Sequence, residues 1–134
     1  MKTKHFILFI MTLMLTSCEK EMPFNGVDPE GLVHWNVISV DGPTTGLVNQ
    51  IMTFDVMCPT SSGCDYVSKF VTDNSNGKTL LIKAYGGSFE NSTCTQSADP
   101  IRVKYDFKPT EKGNYVLKFI NRDETVIKYN FSVK

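Results

Sequence analysis

The chain has 134 residues, 41% of them hydrophobic, with 14 basic and 14 acidic side chains. That length carries a single core. The balanced charge lacks the basic excess or stripe of a nucleic-acid binder, so no nucleic-acid partner is expected.

The chain opens with Lys2 and Lys4, followed by an apolar run over residues 6–15 broken only by Thr12, then the small residues Thr16 and Ser17 before Cys18. A positive region, an apolar stretch and a small-residue cleavage site are the layout of a secretory signal. A bilayer span needs about 20 apolar residues, so this run is too short to remain as one. A buried helix is the alternative, but it would be apolar all round and uncapped at the extreme terminus. Leu15-Thr16-Ser17-Cys18 resembles the bacterial lipobox. The resemblance implies cleavage before Cys18, a diacylglycerol on its thiol and a further acyl chain on its amine. Two or more chains anchor stably where one binds only marginally. The expected division is therefore a signal peptide at 1–17, a lipidated tether at 18–31 and one domain at 32–134, held to a membrane by lipid. Loss of Lys2 and Lys4 leaves the mature chain slightly acidic.

Residues 19–31, EKEMPFNGVDPEG, have neither strand nor helix periodicity and read as a tether. From Leu32 onward, short runs rich in Val, Ile, Phe, Tyr and Thr alternate with turn residues. About seven strands are expected, at 33–40, 47–56, 66–72, 79–85, 101–107, 114–120 and 125–133. The alternation is clearest in IRVKYDF, with Ile101, Val103, Tyr105 and Phe107 on one side, and in IKYNFSV, with Ile127, Tyr129, Phe131 and Val133. Asn76-Gly77 marks a hairpin, NRDE at 121–124 a second, and DGPTTG at 41–46 a turn. No segment has a helical period.

Strands of this number and length predict an all-β, antiparallel two-sheet sandwich, with a small open barrel as the competing architecture. The segment EKGNYVL at 111–117 resembles the start of strand F in immunoglobulin domains. The resemblance makes Tyr115 a corner tyrosine. It also puts Leu117 where the second inter-sheet cysteine of antibodies stands.

Four cysteines in an exported chain suggest disulfides. With Cys18 given to lipid, Cys58, Cys64 and Cys94 remain, and they cannot all pair within the chain. Cys64–Cys94 closes about 30 residues, worth roughly 3.6 kcal/mol of chain entropy; Cys58–Cys64 closes about 6, worth roughly 2.2 kcal/mol. The Asn76-Gly77 hairpin would already bring the first pair together, so Cys64–Cys94 is favoured and Cys58 left free. These segments are similar to a group of small Bacteroidota lipoproteins with an immunoglobulin-like sandwich, through Val48-Asn49, Cys64, Cys94-Thr95 and Phe107-Lys108-Pro109 with Gly113 and Tyr115. Cys58 departs from that pattern. The resemblance implies export and a fold but no activity.

Catalytic chemistry finds little footing. After processing, His34 is the sole histidine, and no motif flanks it or Cys58. No phosphate loop precedes a helix, and neither His-Glu-x-x-His nor Gly-x-Ser-x-Gly occurs. The pair of glycines in AYGGS at 84–88 reads as a bulge or turn. DNSNG at 73–77 carries calcium-loop residue types but also those of a plain turn. No enzyme activity, cofactor or metal is expected. A non-catalytic binding module is, with Trp35, Tyr85 and Phe89 offered to a glycan or protein ligand. The alternatives are a periplasm-facing accessory envelope lipoprotein and, less favoured, an inhibitor of an exported protease. The expected location is the outer membrane, and the EKE after Cys18 resembles signals that send some Bacteroidota lipoproteins to the cell surface, which tilts the expectation towards an outward-facing chain and leaves the periplasmic orientation open.

Overall fold

The structure, a computed structural model, describes residues 30–89, 93–96 and 99–134. The expected signal peptide, Cys18 and the part of the expected tether before Glu30 lie outside the described residues. Those residues form nine strands and no helix. They are β1 (Val33–Trp35), β2 (Ser39–Asp41), β3 (Thr45–Gly46), β4 (Met52–Cys58), β5 (Asp65–Asn76), β6 (Thr79–Ser88), β7 (Ile101–Phe107), β8 (Gly113–Ile120) and β9 (Val126–Val133).

Two sheets result, consistent with a β-sandwich. The smaller has the order β2-β4-β7 and is antiparallel throughout. The larger has six strands with β6 at its centre. β5 pairs one edge of β6; along the other edge, β8 pairs Thr79–Ile82 and β1 pairs Ala84–Gly86. β9 and then β3 complete the sheet. The expected antiparallel arrangement holds only in part, because β6 runs parallel to β8 and β3 parallel to β9. For β6 and β8 this follows from which arm docks: β5 and β6 form a tight hairpin at Gly77, and it is the second arm that lies beside β8.

Alternation fills the space between the sheets as a period of two requires. β4 contributes Met52, Phe54, Val56 and Cys58, β6 contributes Leu80, Ile82 and Ala84, β8 contributes Tyr115, Leu117 and Phe119, and β9 contributes Phe131 and Val133. Phe54 is fully buried, with Tyr129 edge-on at 5.5 Å and Phe131 tilted at 5.3 Å between ring centroids. Burying one such side chain stabilises by about 1.5–3 kcal/mol. Both hairpins form where expected. Gly77 takes φ +67°, and in the turn before β9 Glu124 takes φ +66°. Tyr115 donates its hydroxyl to the Glu111 carbonyl at 2.9 Å, the bond expected of a corner tyrosine, and Leu117 is fully buried.

Four expected strands differ in extent: 66–72 lengthens to Asp65–Asn76 and 79–85 to Thr79–Ser88, and the other two change more. The run 33–40 divides: β1 joins the larger sheet and β2 the smaller, and the chain crosses between them at Asn36–Ile38. The buried Asn121 side chain makes the crossing possible. Its Oδ1 accepts from Val37 N–H at 2.8 Å and its Nδ2 donates to the Val37 carbonyl at 3.2 Å, as a neighbouring strand would do. The run 47–56 starts late, at Met52, because Leu47–Gln50 is a turn with Asn49 at φ +64°. The glycines of AYGGS stay within β6, and the bulge lies opposite them, at Ser68 of β5 between the Val67 and Lys69 pairings. A Cβ on Gly86 would stand 2.0 Å from the Tyr66 carbonyl oxygen, so the close approach of β5 requires glycine there.

Candidate functional site

One end of the molecule gathers most of the residues of interest. It is built on the loop between β4 and β5. Asp65 organises that loop: its carboxylate accepts from Ser61 N–H at 2.6 Å and Ser62 N–H at 3.0 Å, and from both serine hydroxyls. Those donors hold its pKa well below the usual carboxylate range. Cys64 then pairs with Cys94, with 5.4 Å between Cα atoms, as the loop-length argument favours. Gly63 N–H donates to the Thr95 carbonyl at 2.9 Å, and a Cβ on Gly63 would meet the Thr95 hydroxyl at 2.2 Å, so the two segments close only over a glycine. The Cys64 carbonyl in turn accepts from Phe89 N–H at 3.1 Å.

The disulfide thus fixes the backbone under Phe89, whose side chain is 62% exposed and stacks on Tyr66 at 4.6 Å between ring centroids. Tyr66 pairs with Gly87 and Tyr85 with His34, so Tyr66 and Tyr85 stand on the outer face of the larger sheet. His34 lies 5.6 Å from Tyr85 between ring centroids. Of the three aromatic residues expected at a site, Tyr85 and Phe89 therefore share this end with Tyr66 and His34.

Trp35 does not join them. It pairs with Ala84, one residue out of phase, and packs against the core while its Nε1–H donates to the Pro59 carbonyl at 2.7 Å. It lines instead an open cleft of about 300 Å³ with His34, Asn36, Pro59, Ser61 and Arg122. Only Phe89 of the expected three is fully exposed; Trp35 and Tyr85 are half-buried. Sequence reading missed Tyr66 and Arg122. Tyr66 stands two residues after Cys64, and the glycine of its β6 partner position was a usable signal. Arg122 sat in a hairpin tip that composition explained as a turn.

The groups capable of chemistry are otherwise occupied. Cys58 is free and fully buried in β4, and burial pushes its thiol up to about 11, which keeps it protonated and unreactive. His34 is buried with Nε2 2.7 Å from the Ile120 carbonyl oxygen, to which it donates. Burial lowers its pKa, with the positive charges of Lys83 and Arg122 adding to the effect. Asp73 of the DNSNG tip accepts from Ser75 N–H at 2.8 Å, the bond of a plain turn. Among the described residues no three His, Cys, Asp or Glu side chains converge as metal ligands. In comparisons with known proteins, no family model, no curated protein and no solved structure matches the chain.

Proposed function

We propose that the chain is an exported envelope lipoprotein with an immunoglobulin-like domain, and that this domain is a non-catalytic binding module. The lipobox-like run at Cys18 supports the anchor, and the corner bond of Tyr115 to Glu111 supports the fold family. The observation that carries the binding reading is Phe89. A Phe exposed over 62% of its surface is held rigid by a stack on Tyr66 and by a backbone bond to a disulfide cysteine. A pre-organised aromatic on a stiff frame binds at small entropic cost, and its face suits a sugar ring or an apolar protein side chain.

The test is the mature protein probed against an array of glycans and envelope or host proteins, beside Phe89→Ser. Because Phe89 is exposed, the variant should keep its stability. It should lose at least about tenfold in affinity for a ligand seated on the Phe89 ring, as expected for a central aromatic contact. Equal binding of every ligand found by the two proteins would remove Phe89 from the site, and no ligand in either class would remove the binding reading.

A further inference from the structure

The cleft beside Trp35 does not depend on Phe89, and the formally charged residue in its lining is Arg122. Arg122 is exposed at its rim, placed there by a bond from its backbone N–H to Asn36 Oδ1 at 2.9 Å. Among the described residues, ion pairs join Lys69 to Glu30 and both Arg102 and Lys104 to Asp55, and none engages the Arg122 guanidinium. Glu124, two residues on, forms no ion pair with Arg122 among the described residues, and the acids beside the lining residues Arg122 and Ser61 are hydrogen-bonded elsewhere. Asp123 accepts from the Thr125 N–H and hydroxyl, and Asp65 from Ser61 and Ser62. The positive charge of Arg122 reaches across the cleft to His34, and Lys83 adds to it from β6.

The other walls supply what a sugar needs. The Trp35 indole is locked in orientation by its bond to Pro59, and an indole suits the apolar C–H face of a pyranose. Asn36 spends Oδ1 on Arg122 and keeps its Nδ2 hydrogens for an acceptor. The Ser61 hydroxyl donates to Asp65 and keeps lone pairs for a donor. A volume of about 300 Å³ is at the small end of ligand sites, sized for one ring and its substituents rather than a run of chain. A guanidinium without a carboxylate of its own is matched by a planar, bidentate one from the ligand.

We propose that this cleft is a subsite for the terminal, carboxylate-bearing sugar of an acidic glycan, the carboxylate seated on Arg122 and the ring against Trp35. The inference rests on the binding-module reading but on different residues, so the two can fail separately.

Trp35 is the protein's single tryptophan, so its fluorescence reports occupancy directly. The mature protein is titrated with short oligosaccharides ending in galacturonate, glucuronate or a nonulosonic acid, and with the methyl ester of each. One acid should change the Trp35 emission saturably, its ester should bind about tenfold or more weakly, and added salt should weaken the acid alone. Arg122→Gln should abolish the difference between acid and ester, whereas Phe89→Ser should retain it. Equal binding of acid and ester overturns the subsite and leaves the module reading standing. No response to any of the acids overturns it as well, as does tighter binding of a peptide whose C-terminal carboxylate competes for Trp35.

Discussion

Replacing both Cys64 and Cys94 by Ser is expected to destabilise the domain by roughly 3.6 kcal/mol, the loop-closure entropy of about 30 residues returned to the unfolded chain. The structure gives a further reason to expect a large effect. The bridge sits where the β4–β5 loop meets the segment around Thr95, beside the backbone bond from Gly63 to Thr95. Urea unfolding should show a lower midpoint and a somewhat steeper slope, because the unlinked unfolded chain is more open. Binding through Phe89 should suffer beyond the stability loss, because the Cys64 carbonyl no longer holds the backbone beneath the ring. The native protein should give a Cys64–Cys94 peptide under non-reducing digestion and one thiol, Cys58, that labels only after unfolding. A Cys58–Cys64 peptide, or a double variant as stable as the parent, would contradict this assignment.

Asn121→Ala is expected to cost about 3 kcal/mol, through an unrelated cause. The Asn121 amide is the partner of both polar groups of Val37 at the point where the chain leaves one sheet for the other. Val37 is 3% exposed and Asn121 8%, so water cannot easily replace the lost bonds. Removing the amide strands a donor and an acceptor together, and each buried orphan costs about 1–3 kcal/mol. A domain of this size should then melt on the order of 15 °C lower. Asn121→Asp restores the acceptor for Val37 N–H but brings a charge into a buried site and loses the donor, so it should be no milder at neutral pH. A loss below about 1 kcal/mol for Asn121→Ala would mean that Val37 finds other partners.

The same asparagine marks the limit of what the sequence shows. Alternation in IRVKYDF and IKYNFSV identified which side chains face inward, because a period of two is a property of the strand alone. Sheet membership is not such a property. Residues 33–40 change phase at Val37-Ile38, the apolar set moving from Val33, Trp35 and Val37 to Ile38 and Val40, but only the amide of Asn121, 84 residues away from Val37, reveals that the run serves two sheets. The parallel pairing of β6 with β8 is equally non-local. Asn76-Gly77 predicts a hairpin but not which arm meets β8. The site was legible to the same extent. Phe89 stood out as an aromatic in a loop near a cysteine. The separation of Trp35 from Tyr85 depends on the pairing of Trp35 with Ala84, and residue type says nothing about that. His34 looked structural, and its bond to Ile120 and proximity to Tyr85 show it as a wall between the cleft and the aromatic face.

Binding of an acidic glycan requires the domain to be displayed outward from the envelope. The direct measurement is protease shaving of intact cells that make a C-terminally tagged chain, with lysed cells and Cys18→Ala as controls. Loss of the tag from intact cells, with the Cys18→Ala chain neither lipidated nor shaved from the surface, is the predicted result. A tag protected until lysis, or normal lipidation without Cys18, would contradict it.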